Sequence, residues 1–202
     1  PSAGFPSFSS LAERLCNRHF GVGADGILLL LPSSKAPLQM RIFNADGSEA
    51  QMCGNGIRCL AWYAHENRLI QGEVFNIETP AGLKEVRVLP EKGQVEVNMG
   101  HPRLFEKKID GGWAETSVQD DVLPFTEIEA AGLLFKGTAV SMGNPHFVVA
   151  AEGEIPLGIW GPSLSSHPAF PEGTNVEFCW VDEDKLHVRV WERGAGPTLA
   201  CG

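Results

Sequence analysis

No two cysteines of this chain stand at the close spacing, about two to four residues, that zinc sites favour. The five present (Cys16, Cys53, Cys59, Cys179 and Cys201) are scattered and odd in number. That disfavours both a metal site and the even, dense framework of a small secreted protein. Long apolar runs are also missing. Runs such as Ile27 to Leu31 are far too short to span a bilayer. No basic region leads into an apolar one near the first residues, so a signal peptide is not expected there. Basic charge is in deficit: the formal net charge is −9, which argues against nucleic acid or an anionic membrane as main partner. What remains is an ordinary globular composition, 43% hydrophobic and 20% charged, in 202 residues. That is enough for one large domain or two small ones. The expectation is a cytoplasmic protein with reduced thiols, most of them buried in the core.

Apolar periodicity predicts a helix over Leu11 to Phe20, a turn from Gly21 to Gly26 and a buried strand over Ile27 to Leu31. A second strand is predicted over Leu38 to Asn44, followed by turn residues at Asp46 to Ser48. Ile57 to Leu69 reads as a helix with Leu60, Ala61 and Ala64 on one face. Strands are predicted at Val74 to Glu78, Glu85 to Leu89 and Gln94 to Met99. Gly100 to Asp121 reads as a connector rich in Gly, Pro and charge. Further strands are expected around Leu133 to Met142, Phe147 to Ala151, Val176 to Val181 and Leu186 to Trp191.

One segment recurs. RIFNADGSEAQMCG, from Arg41 to Gly54, aligns without gaps on RVWERGAGPTLACG, from Arg189 to Gly202. Arginine, cysteine and glycine coincide. In each copy a strand runs into a polar turn that ends in a Cys-Gly pair. The repeat predicts two halves of one duplicated fold, residues 1–100 carrying Cys53 and residues 101–202 carrying Cys201.

Several motifs carry chemistry, each beside a plainer reading. Gly21 to Gly26 matches G-x-G-x-x-G, but a dinucleotide fingerprint follows a strand and opens a helix. Here the order is reversed, so these glycines read as a tight turn. Cys53 precedes Gly54, Asn55, Gly56 and a helix. Open backbone N–H groups and the helix dipole would make an anion site suited to a carboxylate and would favour a thiolate. The plainer reading is a buried cysteine beside a helix-starting turn. Cys59 lies six positions on, turned ~240° from Cys53, and is expected in the core, as are Cys16 and Cys179. Glu192 and Arg193 suit the ammonium and carboxylate of an α-amino acid, or form a surface ion pair. His146 and Asn144 sit in SMGNPH and Asn175 in GTNV. Each has a structural reading as a turn or core residue. The remaining histidines show no metal spacing.

Taken in order, HFGVGADG, RIFNADGSEAQMCGNGIRC, SMGNPHFVV, GTNVEF and RVWERGAGPTLACG resemble the diaminopimelate epimerase family over nearly the whole chain. Relatives on the same fold are separable: proline racemases look like they carry His where this chain has Asn55, and phenazine-type isomerases lack the cysteine pair. The resemblance implies an α/β fold of the α+β type, with two pseudo-symmetric domains, each a curled, mostly antiparallel sheet around a helix. It implies an isomerase that uses no cofactor and no metal, interconverting LL- and meso-2,6-diaminopimelate for lysine and peptidoglycan precursors.

By motif position, Cys53 and Cys201 match the family's acid/base pair. Asn44, Gly54, Asn55, Asn144, Asn175, Glu192, Arg193 and Gly202 match its substrate contacts, and His146 and Glu192 match residues that tune the thiols. The amino-acid substrate is the expected partner, with no nucleic acid and no membrane; a homodimer is compatible. Members of the family usually begin with a strand carrying Gly-Asn-Asp-Phe and continue after the second Cys-Gly with Thr-Gly and a helix. The resemblance therefore implies a longer parent, whose activity these residues alone are not expected to reproduce. Two other classes stay open on the residues: a thiol redox protein using Cys53 and Cys201, and an amino-acid binder without catalysis.

Overall fold

The computed structural model describes residues 7–108, 112–119 and 122–198. They form two compact units that divide after Gly100. In chain order the first holds α1 (Phe8–Cys16), β1 (Gly26–Leu31), β2 (Leu38–Asn44), β3 (Glu49–Ala50), α2 (Gly54–Glu66), β4 (Val74–Thr79), β5 (Gly82–Leu89) and β6 (Gln94–Val97). The second holds β7 (Arg103–Lys107), β8 (Trp113–Thr116), β9 (Thr126–Ala130), β10 (Leu133–Ser141), β11 (Pro145–Ala150), α3 (Leu157–Ser165), β12 (Asn175–Asp182), β13 (Lys185–Glu192) and β14 (Gly196–Thr198).

Unit one is a curled sheet in the order β1-β2-β4-β5-β6, with β3 on β2. Alternation along β2 sends Leu38, Met40 and Ile42 to one face, where they bury against Ile57, Leu60, Ala61 and Ala64 of α2. The opposite face carries Arg41 and Phe43. There α1 lies, with the Phe8 and Phe43 rings 5.9 Å apart and the Arg41 guanidinium over both. Ser9 of α1 donates to the Gly47 carbonyl at 2.6 Å, which ties the helix to the β2–β3 turn.

Unit two is a larger sheet in the order β14-β13-β12-β11-β10-β7-β8, with β9 on β10. Phe147, Val149, Val176 and Phe178 face α3 and bury Leu157 and Leu164. Gly161 lets α3 approach closely: a Cβ there would stand 2.7 Å from the Trp191 ring.

The repeat is a repeat of register. Ile42 pairs with Ala50 and Phe43 with Glu49. The aligned Val190 pairs with Thr198 and Trp191 with Pro197. The turns also match: Gly47 N–H donates to the Asn44 carbonyl, and Ala195 N–H donates to the Glu192 carbonyl. The likeness extends upstream, where sequence identity does not show it. Each hairpin follows an antiparallel partner strand, β1 or β12, and each of these follows a nine-residue helix.

Several expectations need correction. Gly100 to Asp121 is no mere connector. β7 and β8 pair with each other, and β7 joins β10; their charged residues point outward at the sheet edge. β9 and α3 were not anticipated. α3 carries Gly158, Gly161 and Pro162, which hide helical periodicity, and burial decides its form. The first helix is Phe8–Cys16, not Leu11 to Phe20. Ser7 caps its start, and the Asn17 side chain accepts from the N–H groups of His19 and Phe20 to form the turn beyond. β1 is half-buried rather than buried, because it is an edge strand. Cys16 is buried, but Cys59 is exposed and Cys179 half-buried. Only one stripe of α2 meets the sheet, and Cys59 lies off it. Cys179 sits on the face of β12 opposite Phe178.

Candidate active site

The second helix starts at Gly54, three residues earlier than the periodicity suggests, and this places the first thiol. Cys53 is its N-cap, with extended backbone at φ −145° and ψ 115°. Its Sγ accepts a hydrogen bond from Gly56 N–H at 3.3 Å. A thiol that caps a helix stands where the first-turn N–H groups converge and the dipole is positive. Cys53 is half-buried, Gly54 and Gly56 are buried, and a Cβ on Gly56 would stand 2.8 Å from Leu28 and 3.5 Å from Sγ. Asn55 is held by Arg58, which donates to its Oδ1. Asn44 ends β2, and its amide donates to Ser48 Oγ at 3.0 Å across the hairpin turn. Unit one thus presents a cysteine, a helix N-terminus and two oriented asparagines within one strand–turn–helix passage.

Unit two gathers most of the other candidates on one sheet face. His146 of β11 and Asn175 of β12 stand opposite each other in a parallel pair. Asn175 Nδ2 lies 3.2 Å from His146 Nε2, and Asn175 Oδ1 accepts from Arg193 N–H at 2.8 Å. Arg193 donates from Nη1 to the Glu172 carbonyl at 2.6 Å, and its stem lies over Gly173. Glu192 accepts from the Thr198 hydroxyl at 2.7 Å. So Glu192 and Arg193 are each held by a separate partner, unlike a simple surface ion pair. Asn144 lies half-buried in the turn between β10 and β11, where Gly143 N–H donates to Ser141 Oγ. Cys201 and Gly202 fall outside the described residues.

One residue of this face was not singled out in the sequence. Glu177 is buried two positions after Asn175 on the same face of β12. Its Oε1 is 3.9 Å from His146 Nδ1. Burial, then the nearby charge of Glu192, push its carboxyl up to about 8. Burial also lowers His146 to about 4. The signal was present in TNVEF, where an acid interrupts a strand of apolar residues. Among the described residues no three His, Cys, Asp or Glu groups cluster to hold a metal, and no helix is long and apolar enough to cross a membrane.

Two comparisons define the class and then the family. The fold is that of a hydroxyproline epimerase from Agrobacterium vitis with bound trans-4-hydroxy-L-proline (TM-score 0.68, 17% identity). That match covers 93% of this chain and 59% of that one. A phenazine biosynthesis protein of the PhzF family from Bacillus anthracis is also similar (TM-score 0.57, 18% identity, 96% of this chain and 65% of that one). At such identity these likenesses speak for the fold alone: mixed α+β, two curled sheets with few helices.

The sequence model for diaminopimelate epimerase matches residues 3–105 and 138–202. The diaminopimelate epimerase of Moorella thermoacetica is 48% identical over 198 residues, covering 95% of this chain and 69% of its own. That of Bacillus subtilis is 46% identical over 203 residues, covering 96% and 69%. The chain belongs to the diaminopimelate epimerase family, and it spans about seven tenths of the length of these curated relatives.

Proposed function

We propose that the protein carrying this chain is a cytoplasmic isomerase that needs no pyridoxal and no metal. It interconverts LL- and meso-2,6-diaminopimelate, a step that serves lysine and peptidoglycan synthesis. The observation that carries the proposal is Cys53 as the cap of α2, a thiol at a helix N-terminus in a family of epimerases.

Inverting an α-carbon requires a proton to leave one face and another to arrive at the opposite face. Cys53 and Cys201, the two Cys-Gly ends of the repeat, are assigned these roles. One acts as thiolate and takes the α-proton to become a thiol. The other, a thiol, gives its proton to the opposite face and becomes a thiolate. The reverse direction exchanges the assignments, and the two thiols titrate as a pair.

The hard step is the carbanion beside the carboxylate. The N–H groups at Gly54 and Asn55, with the dipole of α2, suit a carboxylate whose charge is rising; Gly202 is assigned the equivalent seat. Asn44, Asn144, Asn175, Glu192 and Arg193 are assigned to the substrate's amino and carboxylate groups, Glu192 to an ammonium and Arg193 to a carboxylate. His146 and Glu192 are assigned to tune the thiols.

The test is incubation of the whole protein with LL-diaminopimelate in deuterium oxide. Deuterium is expected at one α-carbon together with formation of the meso isomer. Undiminished exchange in Cys53→Ala would exclude the two-thiol mechanism.

A further inference from the structure

The proton of His146 can be placed by following donors along the site face of unit two. Arg193 N–H can only donate, so the Asn175 atom that it meets at 2.8 Å is the carbonyl Oδ1. That orients the amide and turns Nδ2 to His146 Nε2, 3.2 Å away. An amide nitrogen donates, so Nε2 accepts and carries no proton. The proton therefore sits on Nδ1, and the ring is neutral, in keeping with a value lowered by burial to about 4.

Nδ1 looks toward Glu177 Oε1 at 3.9 Å, one short side-chain adjustment beyond hydrogen-bond length. The other oxygen, Oε2, is buried with no hydrogen-bond partner among the described residues. An ionised carboxylate is poorly served there. A hydrogen bond from its own backbone N–H favours the charged form, but less than burial and Glu192 oppose it, and the other groups that face it do not compensate. From β11 comes His146, which is neutral. Cys179 stands on its own strand, and its thiol is raised by burial and by Glu177 itself. From β13 come Val190, directly opposite, and acidic Glu192. A protonated acid fits: Oε2 carries the proton, and Oε1 remains an acceptor for Nδ1–H.

We propose that Glu177 is a positioning residue, a neutral carboxylic acid that receives Nδ1–H of His146 and, together with Asn175, locks the imidazole in one tautomer. This rests on the reading that His146 tunes a thiol, and it deepens that reading. His146 acts as an oriented neutral ring, not as an imidazolium lending positive charge.

The test is nuclear magnetic resonance of the whole protein with ¹⁵N-labelled histidine between pH 5.5 and 8.5, the His146 signals being identified by their loss in His146→Gln. The expected spectrum shows a protonated Nδ1 and a bare Nε2 throughout. Glu177→Gln, which keeps a carbonyl acceptor, should preserve that pattern, and Glu177→Leu should replace it by a mixture of tautomers. A cationic ring at pH 7, the Nε2-protonated tautomer, or an unchanged spectrum in Glu177→Leu would each overturn the proposal. Should Glu177→Leu not fold, the carboxyl ¹³C signal lost in Glu177→Gln decides instead. It should titrate near pH 8 in the wild type, and an ionised Glu177 at pH 6 would overturn the proposal. In turnover, Glu177→Leu should lower kcat about tenfold with a smaller change in KM, largely restored in Glu177→Gln. Normal epimerisation by Cys53→Ala would remove the thiol reading yet leave the spectra to judge Glu177, so the two failures are distinguishable.

Discussion

Cys53 has two roles that substitution can separate. As N-cap it satisfies Gly56 N–H, and as a thiol it is assigned the proton. Serine is a good cap but a poor base at neutral pH. Cys53→Ser is therefore expected to keep the stability of α2 while α-proton exchange falls about 10²–10⁴-fold. Cys53→Ala should lose the same activity and about 1 kcal/mol of stability besides. Denaturant titration beside an exchange assay checks both. Glu177 makes a pH-dependent contribution whose sign is determined. Its folded value of about 8 lies above its ordinary value, so the stability it lends is full in acid and is lost as pH rises through 8. His146, lowered to about 4, works in the opposite sense, and its contribution is lost as pH falls toward 4. The His146 slope fades within about one pH unit above its ordinary 6.5 and is common to wild type and Glu177→Gln, so the difference between the two reports Glu177. The stability of wild type relative to Glu177→Gln should fall by about 2 kcal/mol between pH 6.5 and 8, read by chemical denaturation.

Among the elements, the two nine-residue helices and the hairpins after them show how one plan is met by unlike residues. α1 packs Phe8 on Phe43, and α3 packs Gly161 on Trp191, the residue aligned with Phe43. A larger ring on the strand calls for a smaller residue on the helix. Gly161→Ala, favourable for an isolated helix, should instead destabilise the protein by about 1–3 kcal/mol, because its Cβ would overlap the Trp191 ring. Denaturant unfolding of the variant checks the sign. The other face of the same hairpins differs between units. Leu38 and Met40 are buried under α2, whereas the aligned Leu186 and Val188 are exposed among the described residues. Burial on a strand is set by the element that covers it, not by the strand's own residues.

At the scale of the molecule, the described residues form two hydrophobic cores, one centred on Met40, Ile57 and Ile77 and the other on Phe147, Val176 and Phe178. Each unit closes its own core, so damage to one should stay largely local. Met40→Ala removes a fully buried side chain and should cost about 2–5 kcal/mol. Amide hydrogen exchange should then accelerate in Leu38–Asn44 more than in Asn175–Asp182. Equal acceleration in both would show that the units open together. The proposed chemistry suits a duplication, since opposite faces of one carbon call for two similar acid/base ends.

Much of this protein was legible in the order of its residues. The span of β2 was read without error, as were the buried positions Leu60, Ala61 and Ala64, because periodicity is local. The Cys-Gly repeat was visible because its turns and pairing register are written in consecutive residues. The place of Cys53 ahead of a helix was legible too, but its role as the cap was not, because apolar periodicity begins only at Ile57 while the helix begins at Gly54. The family followed from five motifs in order. Other features were decided by packing between distant segments. α3, with its glycines and proline, is a helix because Leu157 and Leu164 find a core. Cys59 is exposed because α2 buries one stripe only. Glu177, read as nothing more than part of a strand, faces His146 because β11 and β12 run parallel in a register that their sequences do not show. Periodicity and capping operate within a few residues, while burial and the protonation state of a side chain depend on which strands meet.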